Sequence, residues 1–173
     1  MNSKELFVRD TTVIKQSDNL YTAEVSENWS IGNTANGGYS MTLAARVMSE
    51  FLEHKDPLSI SAHYLDRVDF GSTEFHVTHL SSSKSLSTAR VELIQDNKIK
   101  IIFVGTFTDF SFKNDMNIYE RDVPNFPEYN SCEVIPYKEG FNPKLDKNIE
   151  KAYAQDSLWW KKDIDNSSST LNL

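Results

Sequence analysis

The run Asn36-Gly37-Gly38-Tyr39 is the part of this sequence best suited to chemistry. A helix that opens on glycines presents backbone N–H groups with no intrahelical acceptor, and its macrodipole favours negative charge at that end. Glycine also lets a substrate carbonyl approach the backbone closely. Amides placed in this way can hold an oxygen on which negative charge develops. Glycines that only let the helix pack tightly would look the same in sequence, and the two roles are compatible. Asn33 and Asn36 are candidates to orient a water or a substrate; the ordinary role of Asn36 is the helix N-cap.

Other reactive side chains form no obvious constellation. His63 lies in a stretch of strand character, where alternation groups it with Ser61 and Leu65, opposite Ala62 and Tyr64. It is a candidate general base, set against the commoner role of a hydrogen-bonded packing residue. His76 and His79 fall on opposite sides of their strand and His54 is distant, so no zinc-ligand spacing exists and neither metal nor cofactor is expected. No Gly-x-Ser-x-Gly is present to mark a serine nucleophile, and the serines at 81–83 read as a turn. Cys132 has no identifiable base beside it. As the one cysteine of the chain it forms no intramolecular disulfide and fits a reducing compartment.

The elements that must position these residues are legible from periodicity. Ala44, Val47, Met48, Phe51 and Leu52 recur at helical spacing, with Met41 and Ala45 widening the stripe. This predicts a helix of about 16 residues that starts at Asn36 and is ended by Asp56-Pro57. Before it, residues 12–16 and 20–25 read as two strands around a Ser17-Asp18-Asn19 turn, and residues 27–38 as a polar loop holding Trp29. After it come four strands, over 58–65, 74–80, 86–95 and 98–109. Asp96-Asn97 makes a tight turn between the last two. Residues 98–109 are apolar on both faces, which predicts a central strand or an interface. Residues 114–143 carry Pro124, Pro127, Pro136 and Pro143 and read as an extended linker, while 166–173 read as a frayed tail.

Composition sets the outer bounds. At 173 residues the chain has room for one compact domain and some extra material. A net charge of −7 with scattered lysines argues against a nucleic-acid partner. No window approaches the ~20 apolar residues of a membrane span, and residues 1–10 have no apolar core of a signal peptide. A cytoplasmic protein is the expectation.

In order and spacing, several fragments together resemble the N-terminal half of the double-hotdog acyl-CoA thioesterases of the TesB-like (thioesterase II-like) family. These are Trp29, Asn36-Gly37-Gly38-Tyr39, Ala44-Ala45-Arg46, the stretch from Pro57 to Leu65, Lys84-Ser85-Leu86-Ser87 and the hairpin from Val91 to Asp96. The resemblance covers about residues 10–110. It implies an α+β hotdog fold, an antiparallel sheet wrapped around one long central helix, occupying residues 1–112. It further implies a proline-containing linker over 113–147, with 148–173 the start of a second hotdog or a C-terminal extension, Trp159-Trp160 lying in its first strand.

The function it implies is binding or hydrolysis of acyl-CoA thioesters, with the carbonyl at the Gly37/Gly38 amides. Hydrolysis also needs a group that activates water and an apolar channel for the acyl chain. Trp29, Asn33, Tyr39, Met41 and Lys84 are the substrate-binding candidates. For Trp29 the competing role is a plug in the fold, for Met41 a place in the core, and for Lys84, with Arg90, a solvated surface. The family carries its catalytic acid in the second hotdog, and Glu50 and Glu53 lie far along the helix from the glycines. Asp66 and Asp69 read as turn formers. A non-catalytic acyl-CoA-binding or scaffolding hotdog is therefore the alternative, and a dehydratase, for which only His63 is on offer, stands behind it. A lone hotdog leaves an open sheet edge, so a homodimer is expected.

Overall fold

The computed structural model describes residues 2–112, 125–158 and 160. Pro124, Trp159 and the tail over 166–173 lie outside the described residues. A first helix, α1 (Ser3–Asp10), precedes the strands β1 (Ile14–Lys15) and β2 (Leu20–Val25). A 3-10 turn (Glu27–Trp29) and a small hairpin of β3 (Ser30–Ile31) and β4 (Thr34–Ala35) lead into the central helix α2 (Gly37–Phe51). Four long strands follow: β5 (Asp56–Tyr64), β6 (Gly71–Ser82), β7 (Ser87–Gln95) and β8 (Lys98–Thr108).

The six-stranded sheet has the order β1-β2-β6-β7-β8-β5, and every pair in it is antiparallel. Alternation turns Tyr21, Phe75, Val91, Leu93, Phe103 and Phe107 inward, where they are almost fully buried against Leu43, Ala44, Val47 and Met48 of α2. Burying each such side chain contributes roughly 1.5–3 kcal/mol. The helix packs on β2, β5, β6, β7 and β8, so the sheet wraps it. This is the α+β hotdog arrangement.

Sequence and structure part company at the element ends. The helix stops at Phe51 rather than at Asp56-Pro57, and those two residues already belong to β5. Proline is tolerated there because β5 is an edge strand among the described residues, paired with β8 alone. β6 runs on through Ser82, so the turn shortens to residues 83–86, closed by the Ser83 amide donating to the Leu86 carbonyl at 2.7 Å. Asp96 and Asn97 take φ values of 50° and 58°, as a two-residue primed hairpin turn requires. β8 lies between two strands, as its two apolar faces require.

Helix α1 has no counterpart in the sequence reading. Its signal was present: Asn2 and Glu5 form a capping box, each side chain accepting from the other's amide. Beyond the hotdog, β9 (Glu133–Ile135) and β10 (Lys151–Tyr153) form a separate antiparallel pair. The 3-10 turn Lys144–Asn148 folds back on the Trp29 loop, with Leu145 against the core and the Asn148 side chain donating to Asn28 O at 2.9 Å. Among the described residues, no helix is long and apolar enough to cross a membrane.

Candidate functional site

The N-terminus of α2 is built by its own cap. The Asn36 side-chain oxygen accepts from the amides of Gly38 (2.9 Å) and Tyr39 (3.2 Å), and the Asn36 carbonyl accepts from Ser40. The Asn36 amide donates to Trp29 O. Of the orphan donors that open the helix, this leaves the Gly37 N–H as the one without a hydrogen-bond partner among the described residues. The Gly38 amide, paired with Gly37 in the sequence reading, is already satisfied by the cap.

Gly37 borders a cleft of about 320 Å³, together with Thr34, Ser40, Tyr64, Asp66, Arg67 and Val68. Its far wall, residues 65–68, is pinned from three directions. Leu65 and Asp66 amides donate to Lys100 O, and Val68 O accepts from the Ala35 amide and the Thr34 hydroxyl. A register shift in the β7–β8 pairing places Lys100 at a bulge, where its side chain is 8% exposed. Its ammonium reaches Asp66 at 3.1 Å and Asp69 at 3.8 Å. Gln95 clamps the backbone of Asp69 from both sides. The Arg67 amide and the Lys100 ammonium together hold the Asp66 carboxyl below the usual carboxylate range. Asp66 was read as a turn former, and its charge does serve the turn; that the turn walls a cleft was not visible in sequence.

Tyr64 was not singled out as a site residue, yet it lies over Gly37. Its hydroxyl donates to Gly37 O at 3.1 Å. The contact joins residues 27 apart in sequence, and no local pattern announces it.

The remaining candidates are placed elsewhere. Because Tyr64 and Ala62 face the helix, His63 points to the exposed outer face, away from Gly37. Lys84 sits in the β6–β7 turn, whose neighbour His54 follows the C-terminal end of α2. A 15-residue helix, about 22 Å long, separates that end from Gly37. Asn33 is exposed at the β3–β4 turn and does not border the cleft.

Trp29 is a plug: it is buried, stacks on Tyr39 and meets Phe7 edge-on. Its indole N–H donates to Asp10 at 3.1 Å, and Asn28 and Arg9 donate to the same carboxylate. Burial raises the Asp10 carboxyl, but the bonds from Asn28, Arg9, Ser26 and Trp29 outweigh it and hold the group below its ordinary value. Tyr39 is equally internal. Its hydroxyl donates to Asp10 O at 2.6 Å and accepts from the Ser26 amide, and burial pushes its ionisation up. Trp29 and Tyr39 thus hold the loop before the helix in place instead of bordering the cleft. Met41 is partly buried on the helix side that continues from Gly37.

One serine–histidine pair is buried, with His54 Nδ1 2.9 Å from Ser87 Oγ. Ser87 has no exposed surface and stands at the opposite end of the helix from the cleft, so the pair ties the helix exit to β7. No group of three His, Cys, Asp or Glu among the described residues is placed to hold a metal ion.

The comparisons with known proteins meet this geometry at the segment that carries it. Residues 25–109 match the family model of the acyl-CoA thioesterase N-terminal domain. Over those residues the hotdog, with its helix opening at Gly37, is thus similar to an acyl-CoA thioesterase N-terminal domain. The chain superposes on a candidate thioesterase II of Thermobifida fusca with a TM-score of 0.78 at 20% identity, covering 92% of this chain and 59% of that one. It also superposes on a conserved protein of unknown function with a hot dog fold from Alicyclobacillus acidocaldarius, at TM-score 0.71 and 13% identity, over 82% of this chain and 52% of that one. A third match is the tesB protein of Mycobacterium avium subspecies paratuberculosis, at TM-score 0.65 and 17% identity, over 78% and 55% of the two chains.

At these identities the likeness is one of fold. The chain spans between half and three-fifths of the length of these three structures. With 92% of this chain covered, the first superposition extends past residue 112 into the C-terminal segment. No curated protein sequence matches the chain.

Proposed function

We propose that this chain binds an acyl-CoA thioester with its carbonyl oxygen at the Gly37 amide, and hydrolyses it where a second hotdog supplies the group that activates water. The observation that carries this reading is that Gly37, whose amide alone at the helix start has no partner among the described residues, borders the cleft. In the reaction, a water oxygen attacks the thioester carbonyl carbon and negative charge builds on the carbonyl oxygen. The C–S bond then breaks; one water proton ends on the sulfur, giving the thiol of coenzyme A and a carboxylic acid. A donor aimed at that oxygen is worth on the order of 10²–10³ in rate, and the helix dipole acts in the same direction. The acyl chain is assigned to the helix side from Gly37 through Met41 and Ala45, where partly buried apolar surface continues from the cleft.

The base is assigned to a second hotdog because Asp66 is poorly suited to the task. A carboxylate already engaged by Lys100 and the Arg67 amide, and held below its usual range, is a weak proton acceptor. Strand β5 offers the route for a partner. Among the described residues it is a sheet edge with one side unpaired, bearing exposed Leu58 and Tyr64, with Leu65 just beyond it. A homodimer through this edge, or a second hotdog opening near residue 148, would bring new side chains to the cleft.

The engagement of Asp66 also favours a second reading, an acyl-CoA-binding or scaffolding domain without turnover. Hydrolysis of acyl-CoAs from acetyl to palmitoyl, followed by free-thiol release and paired with calorimetric binding, separates the two. Turnover supports the hydrolase, binding alone supports the scaffold, and neither removes the thioester assignment.

A further inference from the structure

Tyr64 lies beside the residue whose amide the proposed function depends on. A Cβ built on Gly37 would lie 2.9 Å from the Tyr64 hydroxyl oxygen and 3.0 Å from two of its ring carbons. A side chain at 37 would therefore have to displace the Tyr64 ring, whatever the glycine also does for a ligand. The ring fills the space beside the helix start, and its hydroxyl hydrogen-bonds the carbonyl of the residue whose amide is unpartnered.

The geometry points to Tyr64 as a second donor to the same ligand oxygen; this rests on the thioester reading above and deepens it. A Cβ sits about 2.5 Å from its own nitrogen, two bonds of about 1.5 Å away. With the hydroxyl 2.9 Å from that Cβ position, Tyr64 Oη lies within about 5.4 Å of the Gly37 nitrogen. An oxygen can then stand about 2.9 Å from both donors at once, which is ordinary hydrogen-bond distance. Both residues border the cleft, and Tyr64 is 53% exposed, so a ligand entering the cleft reaches the phenol.

The hydroxyl can turn from Gly37 O at small cost. That carbonyl belongs to the helix, where the amide four residues on is its regular partner. In this role the phenol is a hydrogen-bond donor to the developing oxyanion, and neither acid nor base. Aligned donors from a backbone amide and a side chain are the usual composition of an oxyanion site.

The test uses two non-hydrolysable coenzyme A derivatives of the same chain length. One is a ketone in which CH₂ replaces the thioester sulfur; the other is a thioether without the carbonyl. Their affinities are measured by calorimetry on the full chain and on Tyr64→Phe, which keeps the ring and loses only the hydroxyl. The wild-type chain is expected to prefer the ketone, and Tyr64→Phe to lose about five- to tenfold of that preference while its thioether affinity stays put. Unchanged discrimination in Tyr64→Phe overturns the role of Tyr64 and leaves the thioester reading standing. A wild-type chain that binds neither derivative, across short and long acyl lengths, overturns both.

Discussion

The sulfur of Met48 occupies the space that the missing side chain of Gly105 leaves open. A Cβ at Gly105 would run into that sulfur, and would stand 3.2 Å from Phe107 Cε2 and 3.3 Å from Ile60 Cγ1. Helix α2 can sit this deep in the sheet because β8 has no side chain at that point. Gly105→Ala is therefore expected to lower stability by about 1–3 kcal/mol through overpacking, read as a fall in the urea midpoint with an unchanged m-value. In a Met48→Ala background the same substitution should cost less, since the clash has one main partner.

Asp10 links α1 to the loop that carries Trp29. Its folded-state carboxyl ionises below the ordinary value of 3.8, so its ionised form is what stabilises the fold. That stabilisation is fully present above the unfolded-state value and is lost as pH falls through the lower, folded one. Acid unfolding followed by Trp fluorescence should show this loss setting in below about pH 4. Asp10→Asn should be less stable at neutral pH by roughly 1–3 kcal/mol and should lose this part of the acid dependence.

Asn36 caps α2 through a single side-chain oxygen. Asn36→Ala is expected to cost about 1 kcal/mol of stability in thermal unfolding, and Asn36→Asp, which keeps the acceptor, much less. Equal losses in the two variants would mean that the cap contributes little.

The exposed β5 edge predicts self-association. Light scattering behind size exclusion should give twice the 19.8 kDa chain mass at micromolar concentration. A monomer under those conditions contradicts the homodimer assignment.

Much of the fold was legible because it rests on local periodicity. The helical stripe from Met41 to Leu52, the Asp96-Asn97 turn and the two apolar faces of β8 each state their element within a few residues. The site was legible only in part, because it rests on contacts between distant segments. Gly37 was marked by its position at a helix start, but which of its neighbouring amides is spent on the cap depends on the rotamer of Asn36. Tyr64 borders the cleft through tertiary packing and Lys100 braces its wall from a bulge, and neither leaves a sequence signature. For His63 the alternation is legible too, but only Tyr64 against Gly37 shows which face of β5 meets the helix. Trp29 and Tyr39 stand out as aromatics near the glycines, and the buried Asp10 that occupies both comes from α1, an element the sequence reading lacked.

The central claim is that Gly37 N–H, and not its capped neighbours, holds the carbonyl of an acyl thioester. Amide chemical shifts of the ¹⁵N-labelled chain, followed during titration with the ketone derivative of acyl-CoA, test it directly. The Gly37 proton should move downfield to saturation, with Gly38 and Tyr39 changing far less because Asn36 already satisfies them. A saturating titration that leaves Gly37 in place, or moves Gly38 and Tyr39 as much, contradicts the claim.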